Sequence, residues 1–136
     1  MYTAFLDANV LFSAAYKPDN KLLKLWSLEN VALITSLYAL DEATRNLAKP
    51  DQRTMLESLM NDVRIIMTVP PNFRLPSSIK LPEKDFPIIS AAILAKADVL
   101  VTGDIEHFGP YFGKKIKGIQ ILRPAPFIDL VEKRSE

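Results

Sequence analysis

Four acidic side chains stand where an alternation of strands and helices would gather them. Asp7 follows the short apolar run 3–6, and Asp104 follows Val99-Leu100-Val101-Thr102, so both project from the carboxyl ends of expected buried strands. Glu42 lies in an expected helix, 36–48, that starts where a second strand ends, and Asp85 opens an apolar helix over 88–96. Taken singly, each has a plain structural reading: Asp7, Asp85 and Asp104 as helix caps, Glu42 as a solvated helix acid. Taken together, four carboxylates at one sheet edge repel one another unless a cation neutralises them. Oxygen ligands alone suit a hard cation, Mg²⁺ or Mn²⁺. The matching reaction is phosphodiester hydrolysis, in which such an ion orients and deprotonates a water for in-line attack.

The rest of the composition removes the competing chemistries. The chain has 136 residues, no cysteine and one histidine, His107, which excludes disulfide scaffolds, Cys-based metal sites and thiol nucleophiles. It carries no Gly-x-Ser-x-Gly elbow and no Gly-x-x-x-x-Gly-Lys phosphate loop. Phosphatases of the haloacid-dehalogenase type need a second acid two residues after the strand-end Asp, where Asn9 stands, and receiver domains need an acid after the third strand, where the chain is proline-rich. The 17 Lys and Arg against 16 Asp and Glu leave a net charge of +1, so a nucleic acid would have to be held by a local basic patch. No apolar run approaches the ~18–20 residues of a membrane span, and no basic segment precedes the first apolar one. A cytoplasmic protein with no membrane association is expected, folded as a single domain over 1–136.

The elements that must position the acids follow from periodicity. Strands are expected at 3–6, 31–34, 64–69, 99–101 and 119–122; helices at 8–16, 20–29, 36–48, 51–62, 88–96 and from Pro124 onward. Ser36 and Asp51 are read as N-caps, Pro50 as a helix stop, and Pro70, Pro71, Pro76, Pro82 and Pro87 as marking an extended crossover loop. An irregular segment with Gly109, Gly113 and Gly118 precedes the last strand. The alternation implies an α/β fold, a three-layer α/β/α sandwich with a mainly parallel central sheet. Such sheets bind ligands beyond the carboxyl ends of their strands, where these acids fall. Leu22, Leu23, Leu25 and Trp26 are expected to face inward; Leu22, Leu23 and Trp26 with Leu37 and Tyr38 form either core or a partner groove.

The segments FLDANVLFSA, the Asp-Glu pair in the helix after the second strand, and KDFPIISAAILAKADVLVTGDIEHF together resemble a PIN domain. The ending IQILRPAPFIDLV is similar to the last strand and helix of VapC-like toxins within that family. The resemblance covers nearly the whole chain. It implies that Asp7, Glu42, Asp85 and Asp104 are the catalytic acids and bind Mg²⁺ or Mn²⁺, with Asn9 and Thr102 orienting the first and last of them. Asp41 directly precedes Glu42 and leaves a one-residue slip open there, and Glu106 and His107 replace the more usual basic and acidic pair after Asp104. The implied activity is metal-dependent endoribonucleolytic cleavage of RNA, the implied partners a cognate antitoxin and a second copy of the chain. Arg45 and Lys84, each within about a turn of an acid, and His107 are the expected substrate contacts, with Lys17, Lys21, Lys24 and Lys49 as further cations. The alternative is a catalytically silent PIN-fold module that binds RNA or a protein.

Overall fold

The computed structural model describes residues 1–68, 71 and 73–135. Six strands form one sheet: β1 (Tyr2–Leu6), β2 (Val31–Ser36), β3 (Val63–Ile66), β4 (Val99–Val101), β5 (Lys115–Ile116) and β6 (Ile119–Leu122). Their order is β3-β2-β1-β4-β6-β5, parallel except for the β5–β6 pair. The helices are α1 (Ala8–Tyr16), α2 (Leu37–Asn46), α3 (Pro50–Leu59), α4 (Phe86–Leu94), α5 (Ile105–Phe108) and α6 (Pro124–Ser135). In β1, Ala4, Phe5 and Leu6 are all buried although successive side chains point to opposite faces, so the middle of the sheet is covered on both sides. The same holds for all of β4, and the expected α/β sandwich is the fold.

The order of the strands decides where a ligand can sit. From β1 the chain works outward to β2 and β3, then returns to place β4 on the other side of β1. The carboxyl ends of β1 and β4 therefore flank the switch point, the place where open α/β sheets leave a crevice. Asp7 and Asp104 follow those two strands. Ile88, Ile89, Ser90, Ala91 and Ala92 of α4 are buried one after another, which anchors the helix that begins beside Asp85. Such all-round burial marks a core helix rather than an amphipathic surface one.

Several sequence expectations change. Residues 21–27 form a 3₁₀ helix, and only Leu25 is buried, with Leu22, Leu23 and Trp26 half-buried. The tighter three-residue turn lets one row of side chains face the core. Trp26 packs against that core and donates its indole N–H to the Leu59 carbonyl at 2.9 Å. Helix α3 starts at Pro50, and Asp51 is its second residue rather than its cap. Proline lacks only an N–H that the first turn leaves unpaired anyway, and the Gln52 side chain accepts the Lys49 N–H at 3.2 Å. The third strand spans Val63–Ile66, shorter than 64–69, because its pairing runs out where β2 ends, at Ser36 against Ile66. Val69 and Pro70 lie outside the described residues. The segment read as irregular holds α5 and a small hairpin: Lys117 and Gly118, both at positive φ (52° and 82°), make the two-residue turn between β5 and β6.

Candidate functional site

Asp7 is buried at the end of β1, and three groups hold its carboxylate. The Ala8 N–H donates to Oδ1 at 2.7 Å, the Thr102 hydroxyl to Oδ2 at 2.8 Å, and the Asn9 amide to Oδ2 at 3.2 Å. Thr102 and Asn9 are themselves fixed. Asn9 also donates to Thr102 Oγ1 at 3.2 Å and accepts the Gly103 N–H at 2.8 Å, while the Asp104 N–H reaches Thr102 Oγ1 at 3.1 Å. The network ties the end of β1 to the end of β4, with Asn9 and Thr102 both donating to the Asp7 carboxylate. Burial nonetheless pushes the Asp7 carboxyl up from 3.8 to about 6; the Thr102 and Ala8 donors oppose the rise, and the Glu42 and Asp85 charges add to it.

Asp85 is held differently. It is buried at the N-terminus of α4, yet its side chain makes no capping bond, which removes its plain structural role. Its Oδ2 lies 2.9 Å from His107 Nδ1, and Asp104 Oδ2 lies 3.0 Å from the same nitrogen. Neither Asp85 Oδ2 nor His107 Nδ1 has an aligned hydrogen bond. Burial raises the Asp85 carboxyl above its ordinary value; His107 and Lys84 pull it down, and Asp104 and Glu42 push it up. Asp104 does cap its short helix, accepting the His107 N–H on Oδ1 at 3.0 Å, which leaves Oδ2 turned toward the ring.

A cavity of about 100 Å³ is lined by Asp7, Asn9, Tyr38, Glu42, Lys84, Asp85, Ile88 and Asp104. All four acids singled out in the sequence thus face one space, from four separate chain segments. Glu42 lines it and Asp41 is exposed outside it. Lys84 stands at its edge. Arg45 is exposed on α2 and does not line it; His107 does not line it either, and its half-buried ring turns Nδ1 to Asp85 and Asp104. Glu106 is exposed, with its carboxylate 3.9 Å from His107 Nε2. Among the outlying cations, Lys24 is engaged by Glu132 at 2.8 Å. Tyr38 was missed as a site residue; it is four residues before Glu42 on the same helix face, and that spacing was the available signal. Its hydroxyl meets the Lys84 carbonyl at 3.4 Å.

The donor set fits a divalent cation on this geometry: four carboxylates line one cavity, and the buried Asp85 Oδ2 beside it faces His107 without an aligned hydrogen bond. A family model described as PIN domain matches residues 3–106, a span that contains all four acids. The chain belongs to the PIN domain family. Its fold is similar to that of a solved chain in VapBC2 from Rickettsia felis bound to a DNA fragment from their promoter, at 18% identity and TM-score 0.61, over 89% of this chain and 98% of that one. VapBC-1 from nontypeable Haemophilus influenzae gives 16% identity and TM-score 0.57, over 90% and 98%. No curated protein matches the sequence. This PIN domain, among its described residues, has no helix long and apolar enough to cross a membrane.

Proposed function

We propose that this PIN domain is a divalent-cation-dependent endoribonuclease and the toxin of a toxin–antitoxin pair. The observation that carries the reading is the convergence of Asp7, Glu42, Asp85 and Asp104 on one cavity at the switch point of the sheet. These four would hold the cation, Mg²⁺ or Mn²⁺. When bound, such an ion supplies charge neutralisation at the phosphate and acidifies a water for attack. The chain's own groups do the positioning. The network of Thr102, Asn9 and the Ala8 N–H fixes Asp7 before any ligand arrives, so little reorganisation accompanies binding. Lys84, at the cavity edge, would meet a backbone phosphate without reading sequence. Water attack in line with the 3′ oxygen leaves 5′-phosphate and 3′-hydroxyl ends.

The partners proposed are RNA as substrate, an antitoxin protein as inhibitor, and a second copy of the chain as homodimer, all in the cytoplasm. Support for the antitoxin is that the structural neighbours are VapBC assemblies. The test is cleavage of end-labelled RNA with Mn²⁺ or Mg²⁺, beside EDTA and the Asp7→Asn and Asp85→Asn variants. Cleavage confined to the metal-loaded wild type is the expected result. Cation binding without cleavage across a broad RNA mixture would overturn it in favour of a silent binding module.

A further inference from the structure

We propose that His107 is a metal ligand, and that with Asp85 and Asp104 it forms a nitrogen-and-oxygen site that prefers a first-row transition ion such as Mn²⁺ to Mg²⁺. The proposal rests on the cation-dependent reading above and alters its chemistry, because carboxylates alone give little ground for choosing between those ions. One ligand atom from each of the three residues lies within 4.8 Å of the other two. Two of the separations, 2.9 Å and 3.0 Å from His107 Nδ1 to the Asp85 and Asp104 Oδ2 atoms, are the informative ones. Adjacent ligands of an octahedral ion with bonds of ~2.1 Å stand about 3.0 Å apart.

The same distances would suit an imidazolium clamped between two acids, and one observation favours the ligand. An N–H clamp aims its proton at an oxygen, yet Asp85 Oδ2 and His107 Nδ1 are buried atoms with no aligned hydrogen bond. Asp85 as a whole is only 8% exposed, so water does not make up the deficit.

Local structure fixes the geometry. The cap from the His107 N–H to Asp104 Oδ1 orients the Asp104 carboxylate, and Phe108, fully buried, pins the turn that carries the ring. Imidazole suits transition ions, whereas Mg²⁺ keeps to oxygen ligands and water. A nitrogen in the set therefore discriminates between ions that the four acids alone would accept alike.

The chain has a single histidine, so isotopic labelling of histidine reports on one ring. We would record pulsed electron paramagnetic resonance of Mn²⁺ bound to wild-type protein grown with natural-abundance or ¹⁵N-imidazole histidine, and titrate Mn²⁺ and Mg²⁺ into wild type and His107→Ala. The expected result is a directly bound nitrogen signal that changes on histidine labelling. Alongside it, Mn²⁺ affinity should fall by about 10-fold or more in the variant while Mg²⁺ affinity holds. Mn²⁺ bound with no histidine nitrogen overturns this proposal and leaves the nuclease reading standing. Absence of any Mn²⁺ or Mg²⁺ binding to wild type overturns both. The spectrum of the wild type needs no substitution, so a poorly folded variant does not blunt the test.

Discussion

The two halves of the acidic cavity are built on opposite plans. On the Asp7 side, three donors meet one buried carboxylate, and those donors are locked to each other across β1 and β4. On the Asp85 side, a second buried carboxylate faces a histidine and another acid with no aligned donor. The first half is complete as folded. The second is a concentration of charge and lone pairs that a cation would complete. The difference separates what the fold satisfies for itself from what it leaves for a ligand, and it makes the two halves respond differently to the same substitution.

The largest effect expected is on cleavage. Asp7→Asn and Asp85→Asn should each lower it by more than ~10²-fold, since loss of an outer partner of a metal ligand already costs ~10–100-fold. Stability should split them. Asp85→Asn removes a charge that burial, Asp104 and Glu42 disfavour, so its Tm without metal should rise, by about 3–5 °C for each kcal/mol relieved in a chain of this size. Asp7→Asn turns an amide donor toward the Thr102 hydroxyl and the Asn9 amide, and should gain less. Thermal unfolding in EDTA checks this, and a larger gain for Asp7→Asn would break the comparison.

Next in size is a pH effect from Asp7. Its folded carboxyl titrates near 6 against an ordinary 3.8, so the native state binds more protons than the unfolded chain between those values. Stability from this group is full below about pH 4 and is lost as pH rises through 6, a swing on the order of 3 kcal/mol. Urea unfolding of wild type and Asp7→Asn at pH 4 and 7.5 isolates it as a difference. Saturating divalent cation should abolish the loss at pH 7.5, since an ion bound to the carboxylate favours its charged form.

How far the sequence exposed this arrangement depends on the range of the forces involved. Strand-end acids at Asp7 and Asp104 were legible because β1 and β4 are short apolar runs with abrupt polar ends, whereas the switch point depends on a strand order that alternation does not reveal. Ser36 was legible as a cap; its hydroxyl accepts the Ala39 N–H at 3.1 Å. Glu42 and Asp85 came from resemblance as much as from pattern, since an acid on a helix looks the same in solvent or in a site. His107 was weighed as a substrate contact, and its approach to Asp85 spans 22 residues of sequence, with the spacing carrying no trace of it. The β5–β6 hairpin was lost among glycines and lysines because two-residue strands carry too little alternation to register.

A smaller effect tests whether the Asp7 half is locked by its network or by burial alone. Thr102→Val keeps the shape and deletes both the donor to Asp7 and the acceptor for Asn9 and the Asp104 N–H. It should destabilise by about 1–3 kcal/mol and lower cation affinity ~10-fold or more, and Thr102→Ser should restore most of both. Calorimetric titration with Mn²⁺ measures the second. An unchanged affinity in Thr102→Val would mean that packing around Asp7, and not the hydroxyl, sets its direction.

The smallest effect expected concerns the rim, where Lys84 lines the cavity and Arg45 does not. In an Asp85→Asn background that binds RNA without cutting it, Lys84→Ala should weaken binding a few-fold and reduce the slope of log affinity against log salt by about 0.7, the share of one phosphate contact on a single strand. Arg45→Ala, one exposed turn further along α2, should leave that slope unchanged. Equal losses from the two would place the RNA across α2 as well as over the cavity. The phosphate grip would then belong to a surface wider than either half of the acidic site.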